Sequence, residues 1–116
     1  MAKTLDFTTK KKKYLTVKLN DDEKTVLAVN TPTKAIFDVL LECSALLNDI
    51  ENTDDADAVA NAMSALYEAC AMALSHNKNR KRFTATDLED MFDFDDLLLF
   101  FTTYMDFVGE VASAKN

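Results

Sequence analysis

The chain has 116 residues with a single Gly, a single Pro and a formal net charge of −7. That length fits one domain, and its 48% hydrophobic content supports a core without disulfides or a structural metal. Scarce turn formers argue for long helices over a sheet-rich scaffold, and the acidic balance repels nucleic acid and anionic lipid as main partners, a local basic patch aside.

No long apolar run follows Met1-Ala2-Lys3-Thr4, so no secretory signal peptide is expected. Nothing approaches the roughly 18 consecutive apolar residues of a membrane span. Leu5 and Phe7 alternate with polar neighbours, and a lysine run occupies 10–13. Tyr14, Leu15, Val17 and Leu19 then form a β-prone stretch, Asn20-Asp21-Asp22-Glu23 is a polar turn, and Val26, Leu27 and Val29 resume the β signal. The pattern predicts a β-hairpin within residues 1–30, with a third short strand at the front as an option. Two strands alone are marginal, so the hairpin has to lie on helices.

Thr31-Pro32 opens the helical region, 31–112, with Thr31 as N-cap and Pro32 at the first helical position. Ile36, Leu40, Cys43, Leu47 and Ile50 recur at helical spacing, and Phe37, Leu41 and Leu46 widen that face. A loop at 52–55 ends in a capping Asp. Val59, Met63, Leu66, Cys70 and Leu74 form a second stripe among many alanines, which favour helix and let a neighbouring helix come close. This helix is predicted to end near Ser75 or His76. A basic connection at 76–82 follows, then Thr84 with Asp87 in a capping-box arrangement, a short helix over 85–91, and a final helix capped by Asp93. Residues 113–116 are expected to fray. The fold class is therefore α+β, mostly α: an N-terminal β-hairpin packed on about four helices in one domain, 1–116.

Charge is segregated. Residues 1–24 hold seven Lys and four acids, whereas 84–116 hold eight acids and one Lys. Such a bipolar chain can use one end to bind a partner or itself. Cys43 and Cys70 lie in apolar helical patterns without CxxC spacing, which points to buried thiols in a reducing compartment.

Candidate chemistry is sparse. Asp54, Asp55 and Asp57, and Asp93, Asp95 and Asp96, are close in sequence, but an EF-hand loop needs Gly at its sixth position, where these have Val59 and Leu98. Helix caps and first-turn acids explain them. His76 is the only histidine and has no matched nucleophile or second ligand. There is no Gly-rich phosphate loop. No catalytic residue, cofactor or metal is expected, and the chain reads as a binding protein.

Two surfaces are candidates for binding. The basic contact loop comprises Lys78, Arg80, Lys81 and Arg82, with Tyr14 and Phe83 as nearby aromatics on which bases could stack. Five of the eight phenylalanines lie between Phe92 and Phe107, and on the final helix Leu97, Leu98, Leu99, Phe100 and Phe101 are consecutive, so they point all round it. Either the domain wraps this helix or part of it meets another chain. A mixture places Leu97, Phe101, Tyr104 and Val108 in the core and leaves Phe94, Leu98, Phe100 and Phe107 as candidate partner-binding residues.

The order LDF, NTPTKAIFDVL, LYEACAMALSHNKNRKRFT, DFDDLLLFFTTYMDFV and a closing AKN resembles the small tail assembly chaperones of long-tailed bacteriophages and prophages, over nearly the whole chain and without one diagnostic motif. The resemblance implies a non-enzymatic protein that binds the tape measure protein, keeps it soluble, and helps recruit tail tube subunits during tail morphogenesis. It implies self-association, a short non-frameshifted form beside a longer frameshifted one, residence in the cytoplasm of the host bacterial cell, and absence from the mature virion. Ala114-Lys115-Asn116 is compatible with a slippery A AAA AAY run in the gene without proving one, and an overlapping open frame just beyond it would support the resemblance. The alternative from a different class is a small phage-encoded regulatory protein that binds or mimics nucleic acid.

Overall fold

The computed structural model describes residues 3–8 and 12–113. Strands β1 (Leu15–Lys18) and β2 (Val26–Val29) form an antiparallel hairpin, followed by helices α1 (Lys34–Asp49), α2 (Ala56–Ser75), α3 (Ala85–Met91) and α4 (Phe94–Ser113). Leu15 pairs with Val29 and Lys18 with Val26. The turn between the strands is closed by Asp21, whose carboxylate accepts from the Thr25 N–H at 2.8 Å and the Thr25 hydroxyl at 2.7 Å. Period-two alternation buries Leu19, Leu27 and Val29 against the helices, and Thr16 and Lys18 stay exposed.

Helix α2 is the hub and packs against α1, α3, α4 and β2. Its alanines explain this. Ala62, Ala69 and Ala73 are fully buried beside Leu66, Cys70 and Leu74, so small side chains let three neighbouring helices approach one axis. Val59 and Met63, expected on the same stripe, are only half-buried near the start of the helix.

Local signals set the helix ends. Asp55 caps α2 by accepting from the Asp57 and Ala58 N–H groups. Thr84 and Asp87 form the expected capping box on α3. Asp93 and Asp96 cap α4 reciprocally, the Asp96 N–H donating to Asp93 at 2.8 Å and the Asp93 N–H to Asp96 at 3.2 Å. Two of the acidic clusters are thus helix starts, where carboxylates also face the favourable end of the dipole.

Two expectations need correction. Helix α1 is capped by Thr33, whose hydroxyl accepts from the Ile36 N–H at 3.3 Å, and not by Thr31. The Asn30 N–H and C=O are both engaged by other elements, so the chain leaves β2 extended, and Pro32 holds Thr31 out of the helical region. The optional third strand does not form among the described residues. Leu5 and Phe7 are 76% and 67% exposed, and Asp6 accepts from the Thr8 N–H at 2.9 Å in a local turn. Part of the lysine run, Lys10 and Lys11, and most of the expected frayed tail, 114–116, lie outside the described residues; Ser113 closes α4.

Candidate functional site

The predicted contact residues lie on α4. At about 100° per residue, Leu97, Phe101 and Tyr104 face the core, where all are buried, with Phe107 on the flank beside Tyr104. Phe107 is therefore a core residue and not a contact residue. Its ring tilts against Tyr104 at a centroid distance of 6.1 Å, and Phe100 stacks on the other side of Tyr104 at 5.6 Å. Phe94, Leu98 and Phe100 are half-buried and pack on the core edge, as does Val108, which was expected inside. The residue that the sequence reading passed over is Leu99, 68% exposed. It lies about 200° round the helix from Leu97, and that angle alone could have singled it out.

Leu99 borders a groove of about 600 Å³ between β1 on one side and the α3–α4 junction on the other. Met91, Phe92, Leu99 and Phe100 supply its apolar surface, and Asp21, Asp90 and Asp96 its carboxylates. Tyr67 donates its hydroxyl to the Phe92 carbonyl at 2.9 Å, fixing the α3–α4 corner. Burial raises the Tyr67 pKa, with Asp93 adding to it, so this hydroxyl remains a donor. Hydrogen bonds to the Thr25 hydroxyl and N–H hold the Asp21 carboxyl below its usual range, so this edge of the groove stays charged.

The β1 side of the groove is an open sheet edge. Backbone groups alternate in direction along a strand. On β2, Ala28 and Asn30 point away from β1: the Ala28 carbonyl accepts from the Lys78 N–H, and the Asn30 N–H donates to the His76 carbonyl, each at 2.8 Å. The register pairs Thr16 with Ala28 and Lys18 with Val26, so Thr16 and Lys18 direct their N–H and C=O groups outward, toward the groove. Among the described residues no backbone group pairs with them.

The basic connection is built firmly. Asn77 is buried, donating its amide to the Leu74 and Lys81 carbonyls at 2.8 Å each and accepting from the Lys81 N–H at 3.0 Å. Asn79 accepts from the Ala28 N–H at 2.8 Å, Ser75 and Phe83 exchange two bonds, and Arg80 turns the chain with φ 59°. The polar look of this segment therefore reflects a scaffold pinned along the outer edge of β2. Lys78, Arg80, Lys81 and Arg82 project exposed from it. Its aromatics are committed elsewhere: Phe83 packs on the core, and the Tyr14 ring lies 5.6 Å from the Lys78 ammonium, a cation–π distance.

The two thiols are inert. Cys43 and Cys70 are free and buried. Burial pushes the Cys43 thiol up to about 11 and that of Cys70 higher still, with Cys43 adding to the latter, so neither is an activated nucleophile. Among the described residues no group of three or more His, Cys, Asp or Glu could hold a metal ion, and no helix is long and apolar enough to cross a membrane. No protein family, curated protein or solved structure matches the chain.

Proposed function

We propose that this chain is a tail assembly chaperone of a long-tailed bacteriophage or prophage, which binds the tape measure protein in the host cytoplasm, keeps it soluble, helps recruit tail tube subunits, and is absent from the finished virion. The observation that carries this reading is an apolar groove with charged borders. Leu99 and Met91 are exposed beside half-buried Phe100 and Phe92, with Asp21, Asp90 and Asp96 around them. Such a surface can cover an apolar stretch of a client, while a net charge of −7 keeps the complex dispersed. The acidic, aromatic final helix also carries the sequence resemblance to such chaperones. The work is binding alone, with Leu98, Leu99 and Phe100 as the residues proposed to meet the client.

The test is co-expression with the tape measure protein encoded near this gene, comparing wild type with Leu99→Asp. Wild type is expected to move the client into the soluble fraction and co-purify with it, and Leu99→Asp to lose both effects. A client equally insoluble with and without wild-type protein would sink the proposal. A second reading, a small phage-encoded regulator that binds nucleic acid, is favoured by one observation: four exposed cations within five residues on a pinned loop. Binding of that kind weakens steeply with added salt. No mobility shift of DNA or RNA at low salt would remove it.

A further inference from the structure

We infer that the open edge of β1 receives the N-terminal segment of a second copy of this chain, so that two copies exchange arms and form a dimer. The receiving site combines three features. Thr16 and Lys18 offer outward backbone groups that no other backbone group meets among the described residues, Met91, Leu99 and Phe100 offer apolar surface beside them, and the three carboxylates of Asp21, Asp90 and Asp96 outnumber the one ammonium, Lys18. The arm has the matching features in the matching order. Leu5 and Phe7 are spaced two apart, so in an extended strand they share a face about 7 Å apart, and a lysine run follows at 10–13. Both apolar side chains are largely exposed, Leu5 at 76% and Phe7 at 67%, and strand addition would cover them. Strand addition would open the local Asp6–Thr8 turn and exchange it for ladder bonds to Thr16 and Lys18.

The occupant is a second copy and not the same chain folded back. Only residues 9–14 separate Thr8 from β1, and four of those six are lysines. A tight loop would crowd four like charges together. An arm reaching another copy can lay the same lysines along that copy's carboxylates. A filled groove is also closed to a client, which would have to displace the arm.

The test is analytical ultracentrifugation of the full chain across a concentration series, beside two variants. Leu5→Asp/Phe7→Asp alters only exposed positions. Thr16→Pro removes an outward N–H and blocks the strand edge at a position where proline is tolerated. Circular dichroism and the urea midpoint confirm that each variant is folded. The wild type is expected to dimerise, and each folded variant to dimerise roughly tenfold more weakly or worse. A Thr16→Pro variant that fails to fold would leave the arm variant to decide. A wild type that is monomeric throughout, or a dimer that survives the arm variant, would overturn the proposal. So would a monomer in which Leu5 and Phe7 are shielded by their own chain. This experiment contains no client, so its failure leaves the chaperone reading standing, and failed client solubilisation leaves the dimer standing.

Discussion

Tyr104, in the middle of α4, donates its hydroxyl at 2.8 Å to the carbonyl of Asn30, the residue that leaves β2. The same Asn30 donates its N–H to the His76 carbonyl at the end of α2. One backbone unit thus joins hairpin, hub helix and final helix, and the Tyr104 ring is fully buried between Phe100 and Phe107. Tyr104→Phe keeps the packing and leaves that carbonyl without its donor. It is expected to lower unfolding stability by about 1 kcal/mol, with an unchanged urea m-value. A loss below the error of the urea experiment would mean that water replaces the hydroxyl.

Asn77 makes three hydrogen bonds from a buried site. Asn77→Ala should therefore cost more than a surface substitution, about 2 kcal/mol or above, because two carbonyls and one N–H lose their partners together. Asn79→Ala removes a single bond, to the Ala28 N–H, and is expected to cost about 1 kcal/mol. The ranking is the sharper test: equal costs would contradict the view that Asn77 organises the basic connection.

These two asparagines also show where the sequence stops being informative. Helix stripes, the hairpin and the Thr84 and Asp93 caps are local patterns, and local patterns are readable: α3 occupies the predicted span. The choice of Thr33 over Thr31 as cap was not readable, because Asn30 is held by Tyr104 and His76, 74 and 46 residues away. Nor did composition separate Asn77 and Asn79 from solvent-facing polar residues, since their partners are backbone groups that come together only in the folded chain. On α4 the run 97–101 looked uniform, and the separation of Phe107 from Leu99 followed from helical angle, a signal present in the sequence but overridden by the aromatic count. The open β1 edge depends on which side of β2 the 76–79 segment covers, a long-range choice.

That separation gives a paired prediction. Leu99→Asp changes a side chain that is 68% exposed and should alter stability by no more than about 0.5 kcal/mol, while abolishing client solubilisation. Phe107→Ala empties a core position and should cost about 3 kcal/mol, and any loss of client binding should be recovered once the fraction folded is allowed for. Thermal melts and co-purification yields on the same samples separate the two cases. A destabilised Leu99→Asp would mean that this side chain is packed.

Stability should fall at both ends of the pH scale, for different groups. Asp21 has its folded pKa held below the usual 3.8 by the Thr25 hydroxyl and N–H. The unfolded chain therefore takes up its proton first as pH drops, and the stabilisation present above 3.8 is lost as pH falls through the folded value. Thr25→Val removes the hydroxyl donor and is expected to flatten this acid limb. Cys43 shifts the other way, from 9.0 to about 11 through burial, and burial raises Cys70 and Tyr104 as well. For these groups the unfolded chain loses its protons first, so stability is complete below about pH 9 and declines as pH rises through 11. Urea midpoints measured across this range should show the alkaline decline in wild type and Thr25→Val alike. Ellman's reagent at neutral pH should find both thiols slow in the native state and fast in urea. A fast native thiol would place Cys43 or Cys70 at the surface and remove the basis for the alkaline limb.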